Sequence, residues 1–414
     1  MDGLRKSILL WRDYRSIPGS QYDTMTVQFN ISSTPGYGTY LDDATDMPYG
    51  KTSEAVTKWQ KFFGYKPCLF KNGAVVGYLN PNNYAQFEDG TSADITSGNA
   101  GDVMVEFPRR GIKISKSGST VTVSMTKDPD NPDFTYYAHT RGSTRKDKFY
   151  IGAYLASYTT DTKYKSYLRS LSNKSVLTDY LSGFRAKASN NGNGYMNVGF
   201  YQFLYIQCMY LLQYKGNLDS QTVHGYGFNA SSFTGSMKTG LADTNGLMYG
   251  EGVSKKTSGS YTGDRCSAHI KLFGIEDFWG NYPWYVDGFY INKNYHILTA
   301  TDEFNNTGDG YIDNGTICGT TRISGNFISN AACNPSVGFI PTDYNGSSST
   351  YFCDRAFLYN DLYDYTALHV GGDKTESDDS YYELPGSKGI FHFLCKNSPT
   401  SKKYDTVAGR LAYL

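Results

Sequence analysis

The fifteen residues from Gly274 to Gly288 constrain the fold more than any other part of the chain. They contain two of its four tryptophans, three glycines and three acidic residues. Trp279 and Trp284 are too large to expose without cost, and a buried indole N–H needs a hydrogen-bond partner. Gly280 lets the backbone turn back or approach a neighbouring segment closely. We therefore expect a core strand that begins and ends in tight turns, with both tryptophans belonging to the scaffold.

The half of the chain after Leu218 is interrupted by glycine every few residues and has few long periodic runs. Because glycine weakens helices, this half predicts short strands joined by long surface loops. Two earlier segments have helical spacing. Thr178–Ser189 is the first, and Met196–Tyr214 is the stronger, since its apolar residues nearly surround the helix axis and imply burial on several sides.

Residues 1–100 contain short elements separated by turn-rich segments. A helix is predicted from Ser53, as its cap, to Phe63, with Gly64 ending it. Asn72-Gly73 predicts a hairpin turn, and the turn-rich run 90–101 is a plausible domain boundary. Strands are predicted at Thr26–Ile31, Val103–Phe107, Gly111–Ser115, Thr120–Met125 and Phe149–Tyr154.

The sequence GIEDFWGN, followed by WYVDG, in residues 274–288 resembles the signature GIENLWGN…W-x-DG of a family with the C-type-lectin fold. That family includes formylglycine-generating-enzyme-like domains, variable proteins diversified by retroelements, and phage tail receptor-binding proteins. Further stretches fit the phage and prophage branch, and their order along the chain matters more than any one of them. They are residues 102–108, 150–154, the helix-like run before 218–221, and 408–413.

The resemblance implies an α+β protein with a C-type-lectin-like fold, made of short antiparallel strands, two main helices and long loops. It implies a receptor-binding domain at residues 101–414, preceded by a smaller attachment or oligomerisation region at residues 1–100. It also implies a closing strand near 408–411 in which Arg410 is a buried, hydrogen-bonded anchor. The residues expected to be structural are Trp279, Asn281, Trp284, Asp287, Gly288 and Arg410.

Composition limits the partners and the location. Lys plus Arg and Asp plus Glu both number 39, so the zero net charge argues against nucleic acid as the main partner. The four apolar residues Ile8–Trp11 are too few for the core of a signal peptide. The most apolar later run, 200–214, is interrupted by glutamines and does not predict a membrane span. We expect a protein made in the cytoplasm without an export signal, which suits a virion component released by lysis.

The motifs of common enzymes are missing from the sequence. It has no G-x-S-x-G elbow, no P-loop and no Rossmann fingerprint. The six histidines are too far apart for the H-x-x-x-H-x-E pattern of the iron-using relatives, and no cysteine pair matches the copper-using ones. We therefore predict that the chain is not an enzyme and needs no cofactor, with a formylglycine-generating-type oxidase as an alternative.

A calcium site is a further alternative. Residues 305–314 are dense in the oxygen ligands that calcium prefers, with Asp309 and Asp313 as the candidates. The segment lacks the order of an EF-hand loop, and Asp/Asn/Gly clusters are commonly turns.

A crowd of tyrosines and short polar residues in residues 344–383 predicts a binding surface. Tyrosine supplies large contact area with only two side-chain torsions to order, and Asp and Asn supply directional hydrogen bonds. Both also suit sugars, although a tyrosine-rich sheet with acidic turns would have the same composition. The predicted receptor contacts are Tyr351, Asp354, Tyr359, Asn360, Asp361, Tyr363, Tyr365, Asp373, Lys374, Tyr381 and Tyr382.

Together these features predict a phage virion protein of the tail tip, baseplate or fibre that binds a bacterial surface glycan or protein during adsorption. Its expected partners are the receptor, other phage tail proteins and further copies of itself, with no nucleic acid and no membrane insertion. A head fibre or decoration protein without a receptor is the structural alternative. Diversification by a retroelement is a separate prediction that depends on the resemblance.

Overall fold

The computed structural model describes residues 24–228, 238–250, 269–359, 363–371, 388–400 and 407–414. Strands make up 39% and helices 12% of the structure, so the predicted α+β fold with two main helices is wrong. The physical reason lies in the glycine-punctuated half. Segments that the sequence indicated as loops hydrogen-bond there into further short strands, and these outweigh the helices.

The largest sheet of the amino-terminal half, here called the first sheet, has seven strands. Its centre is antiparallel, and the turn at Asn72-Gly73 joins two of its strands as the sequence predicted. The carboxyl-terminal strand lies inside it, between strands that are more than two hundred residues away in sequence. The order is β14 (Tyr195–Asn197), β26 (Leu411–Tyr413), β11 (Lys148–Gly152), β6 (Asp102–Pro108), β3 (Lys66–Lys71), β4 (Ala74–Asn80), β5 (Asn83–Phe87).

A four-stranded antiparallel sheet packs beside it. The strands predicted at Gly111–Ser115 and Thr120–Met125 pair with each other as a hairpin, and the strand predicted at Thr26–Ile31 pairs with the second of them. The order is β2 (Thr39–Asp42), β1 (Thr24–Asn30), β8 (Thr120–Thr126), β7 (Gly111–Ser117).

The carboxyl-terminal half forms a second seven-stranded sheet, here called the second sheet. All its pairings are antiparallel except that of β23 with β25. The order is β19 (Ile312–Thr316), β18 (His296–Thr299), β17 (Trp284–Asn292), β24 (Tyr365–Val370), β25 (Phe393–Asn397), β23 (Arg355–Leu358), β20 (Ile323–Phe327). Four two-stranded pairs complete the strands: β9 (Thr140–Arg141) with β10 (Thr144–Arg145), β12 (Ser157–Thr160) with β13 (Ser166–Arg169), β15 (Lys271–Leu272) with β16 (Ile275–Glu276), and β21 (Asn330–Ala331) with β22 (Pro341–Asp343).

The described helices are α1 (Ser53–Phe63), α2 (Leu181–Ser189), α3 (Phe200–Gln213) and the single turn α4 (Ser220–Val223). Among them, none has the length and apolar character needed to cross a membrane. Helix α1 has the predicted bounds, although Thr52 and not Ser53 caps it, through an oxygen that accepts from Ala55 N. Helix α3 begins four residues later than expected, because Met196 belongs to β14.

Helix α3 is the centre of the hydrophobic core. Every residue of it is buried, which confirms the prediction of burial on several sides. The helix packs against β1 and β8 of the four-stranded sheet and against β17 of the second sheet. On the side of the first sheet, the Tyr205 hydroxyl donates to Pro108 O over 2.9 Å.

Strands from before and after the boundary proposed near residue 100 belong to the same two sheets. Strand β1 pairs with β8 along its whole length, and β3 pairs with β6. One continuous core cluster contains side chains from Met25 to Leu414. Residues 24–100 are therefore an integral part of the same packed unit as the residues that follow.

Candidate functional site

Residues 274–288, here called the frame, are all buried, and the last five of them begin β17 of the second sheet. Trp279 and Trp284 are fully buried, and each indole N–H finds the partner that burial demands: Trp279 donates to Gly225 O over 2.8 Å and Trp284 to Phe278 O over 3.2 Å. Gly280 has φ +78°, and a Cβ on it would lie 2.7 Å from Phe228 N. The frame therefore has the strand-and-tight-turn form expected of it, with β17 as the strand.

Gly288 and Asp287 form a bulge within β17. The pairing of β17 with β24 shifts register between Val286 and Tyr290. Glycine is required at position 288 because its φ is +69° and because a Cβ there would lie 2.8 Å from Ala300 O. The bulge turns Asp287 toward helix α2, where its two oxygens accept from Nε and Nη2 of Arg185 over 2.7 Å each. This bidentate pair fixes helix α2 to the second sheet.

Arg410 ties the carboxyl-terminal strand to the frame. Its guanidinium donates to Gly152 O over 3.2 Å and to the carbonyls of Glu276 and Asp277 over 3.0 Å each. Burial lowers its pKa to about 9, against the opposing effect of the neighbouring acids. The position agrees with the expectation of a buried, hydrogen-bonded anchor.

Beside Arg410 lies a cluster of charged side chains that sequence reasoning missed. The His269 Nδ1 and Asp277 Oδ2 atoms are 2.8 Å apart, and Asn281 Nδ2 donates to the same oxygen over 2.7 Å. Glu276 accepts from the amides of Gly240 and Ala242 over 2.8 and 2.7 Å. Asp277 and Asn281 both have left-handed backbone, which their short polar side chains tolerate.

The environment shifts the protonation of this cluster strongly. Burial acts to lower the pKa of His269, but the charge of Asp277 and its hydrogen bond raise it to about 9. Burial and the nearby Asp277 raise the pKa of Glu276. Burial lowers the pKa of Lys271, whose Nζ donates to Ala242 O over 2.9 Å and lies 3.5 Å from the centroid of the Tyr84 ring.

The cluster also brings three metal-type ligand atoms together, since those of His269, Glu276 and Asp277 all lie within 4.8 Å of one another. The two carboxylates are, however, already engaged. Glu276 accepts from backbone amides, and Asp277 interacts with His269 and Asn281. Lys271 and Arg410 supply positive charge beside them. We interpret the cluster as an internal ion network that holds the frame, not as a metal centre.

Of the two calcium candidates, Asp309 lies in a local turn and Asp313 lies in β19. Asp313 accepts from Gly315 N over 2.8 Å and its other oxygen lies 2.8 Å from His296 Nδ1, whose hydrogen bond lowers the pKa of Asp313. Asp309 accepts from Thr307 Oγ1 over 2.6 Å. Asn305 closes the same turn by accepting from the amides of Thr307 and Asp309. Residues 305–309 thus form a turn, which was the alternative to a calcium site there.

Of the predicted receptor contacts, two are buried. Asp354 is 1% exposed, and its oxygens accept from the amides of Gly389 and Phe391. Tyr359 is 7% exposed, with the Arg322 guanidinium 4.1 Å from its ring centroid. Both side chains are therefore engaged inside the protein and are not available to a receptor.

Three of the remaining predicted contacts lie among the described residues. Tyr351, Tyr363 and Tyr365 are half-buried. Tyr351 donates its amide to Ser33 O over 3.2 Å, which places it beside the amino-terminal loop. Outside the described residues lie Asn360, Asp361, Asp373, Lys374, Tyr381 and Tyr382.

The described residues on both sides of segment 372–387 are fixed to the core. On one side, a Cβ on Gly371 would lie 2.6 Å from Phe278 O, so the chain there lies directly against the frame. On the other side, Asp354 binds the amides of Gly389 and Phe391, and Ser220 Oγ accepts from Ile390 N over 3.1 Å. Asp354, predicted as a receptor contact, thus holds the base of the segment instead.

Sequence reasoning also missed an exposed pair of tyrosines, Tyr37 and Tyr49, whose ring centroids are 4.5 Å apart. Each is followed directly by glycine, at Gly38 and Gly50. That repeated dipeptide was the signal available in the sequence.

The described thiols and most described histidines are buried without reactive character. Burial raises the pKa of Cys318 and Cys333 to about 12, and it lowers the pKa of His139, His224 and His369 to about 3. Such thiols behave as small apolar side chains. Nothing in these groups favours the oxidase alternative.

Comparison with known proteins adds no assignment: no protein-family model matches the chain, and no curated protein matches it either.

Proposed function

We propose that the chain is a phage virion protein that binds a receptor on the bacterial surface, with the segment 372–387 as a principal contact. The observation that carries the proposal is the fixing of both flanks of that segment on the core, by Gly371 against the frame and by Asp354 on Gly389 and Phe391. The segment itself has the sequence GDKTESDDSYYELPGS, which combines adjacent tyrosines with five acidic residues.

A fixed base favours binding because less conformational entropy is lost when a partner is engaged. Tyrosines then supply contact area, while aspartate and serine supply hydrogen bonds. The half-buried Tyr363 and Tyr365 lie just before and at the start of β24, the strand that ends at Val370. Homo-oligomerisation belongs to the proposal, since several weak contacts acting together raise avidity. Binding to other virion proteins is part of it as well.

The test is the double substitution Tyr381→Ala with Tyr382→Ala in the assembled particle. We expect adsorption to host cells to slow by about tenfold or more, because aromatic residues dominate typical binding surfaces. Tyr164→Ala is the matched control, since Tyr164 is 90% exposed and distant in sequence. Particle yield and adsorption rate are measured together.

If the double variant assembles in normal yield and adsorbs at the rate of the control, this receptor surface is refuted. A loss of particles with no change in the adsorption of those that form would favour the structural virion protein instead. Substitution of Asp354 by Asn should slow adsorption too, because it loosens the base of the segment.

A further inference from the structure

Tyr37 and Tyr49 form an exposed aromatic pair far along the chain from the segment discussed above. Their side chains are 51% and 43% exposed, unlike most tyrosines of the described residues. The ring planes meet at 48° with their centroids 4.5 Å apart, so the pair presents a shallow V to solvent. Exposed apolar side chains that are grouped together, with polar groups beside them, often mark a binding surface.

The pair is held rigidly from beneath. Gly38 N donates to Lys215 O over 2.6 Å, and Gly50 N donates to Gln213 O over 2.8 Å. Gln213 Nε2 returns a bond to Gly50 O over 3.0 Å. Each tyrosine thus precedes a glycine that is bonded to the end of α3, the most buried helix, and little order remains to be lost on binding.

A cation lies against one ring of the pair and against the buried Tyr40. Lys215 Nζ is 5.3 Å from the ring centroid of Tyr49 and 5.2 Å from that of Tyr40. None of the ion pairs among the described residues involves Lys215. Its charge is therefore balanced within this part of the protein only by aromatic faces, and it remains able to bind an anion.

We propose that Tyr37, Tyr49 and Lys215 form a binding site for a pyranose sugar that carries a carboxylate, such as a uronic acid residue of a bacterial polysaccharide. The apolar C–H face of the sugar ring packs on the tyrosines, and its carboxylate accepts from Lys215 Nζ. Two rings suit one or two sugar residues and fall well short of the roughly 800 Å² per partner of a stable protein interface. The site includes no residue of segment 372–387.

The experiment measures binding of acidic and matched neutral oligosaccharides to the full chain, first on a glycan array and then by calorimetry. We expect acidic sugars to bind more tightly than neutral ones. Tyr37→Ala and Tyr49→Ala should each weaken binding by about tenfold, a usual effect for an aromatic contact. Lys215→Met should remove the preference for acidic sugars while neutral binding persists.

Tyr164→Ala and the Tyr381→Ala, Tyr382→Ala double variant serve as controls and should bind the sugars normally. If sugar binding fails only in that double variant, the receptor proposal survives and this site does not. The inference is also overturned if no acidic sugar binds, or if neutral sugars bind equally well. A change in oligomer size on substitution of Tyr37 or Tyr49, with sugar binding unaltered, would identify the pair as a contact between copies.

Discussion

Arg410 shows how one buried side chain can hold distant parts of this chain together. Its guanidinium bonds to carbonyls of residues 152, 276 and 277, so it joins the first sheet, the frame and the carboxyl terminus. A fully buried charge is tolerated only because it is hydrogen-bonded. The sequence predicted this anchor from a motif, yet it gave no signal for Arg185 and Asp287, which meet across 102 residues.

Replacement of Arg410 by Met should lower the free energy of unfolding by about 3 kcal/mol, since three buried carbonyls lose their donor. Urea unfolding measures the change. Arg145→Met is the control, because its pair with Asp130 has 46% and 72% exposed side chains and exposed pairs contribute at most about 1 kcal/mol. Equal effects of the two substitutions would contradict the anchoring role.

The pair of His269 and Asp277 should make stability fall as the pH rises. In the folded chain the pKa of His269 is raised to about 9, whereas in the unfolded chain a histidine titrates near about 6.5. The folded state therefore keeps a proton that the unfolded state has lost, and the stabilisation present below pH ~6.5 disappears as the pH passes through about 9.

His269→Gln removes this titration and should flatten the dependence. We expect the wild-type advantage over the variant, up to about 3 kcal/mol at pH 6, to vanish near pH 9.5. Chemical unfolding of both proteins at these two pH values measures it. An advantage that stays constant between them would show that His269 is not charged in the folded state.

At the scale of single elements, the sequence predicts well those that depend on local signals. It does not predict those that form only by pairing with distant residues. Helix α1 has its predicted bounds because its cap Thr52 and its terminal Gly64 directly adjoin the helix in sequence. Met196 was assigned to helix α3 but lies in β14, which exists only by pairing with β26 near residue 412. Apart from β17, the strands of the second sheet were missed for the same reason, since their four to six residues carry little periodic pattern.

Replacing threonine by alanine at two positions of helix α1 tests the role of the cap. Thr52→Ala should lower the free energy of unfolding by about 1 kcal/mol, because Thr52 Oγ1 accepts from Ala55 N over 3.2 Å at the helix start. Thr57→Ala, within the exposed face of the same helix, should be neutral or stabilise by up to about 0.5 kcal/mol, since alanine has the higher helix propensity. Thermal unfolding compares the two, and a like-signed effect would contradict the cap.

At the scale of the molecule, residues 24–100 pack as part of the core and not as an appendage. Strand β1 pairs with β8, and β3 pairs with β6, the central strand of the first sheet, so removing residues 1–100 would strip hydrogen bonds from both strands and uncover the apolar side chains packed against them. A chain of residues 101–414 should therefore be insoluble, or should bind a hydrophobic dye without cooperative unfolding. Supplying residues 24–100 as a separate chain during expression should restore a soluble complex, because the missing strands can pair again. A soluble, cooperatively unfolding 101–414 fragment would instead mean that the two regions fold independently.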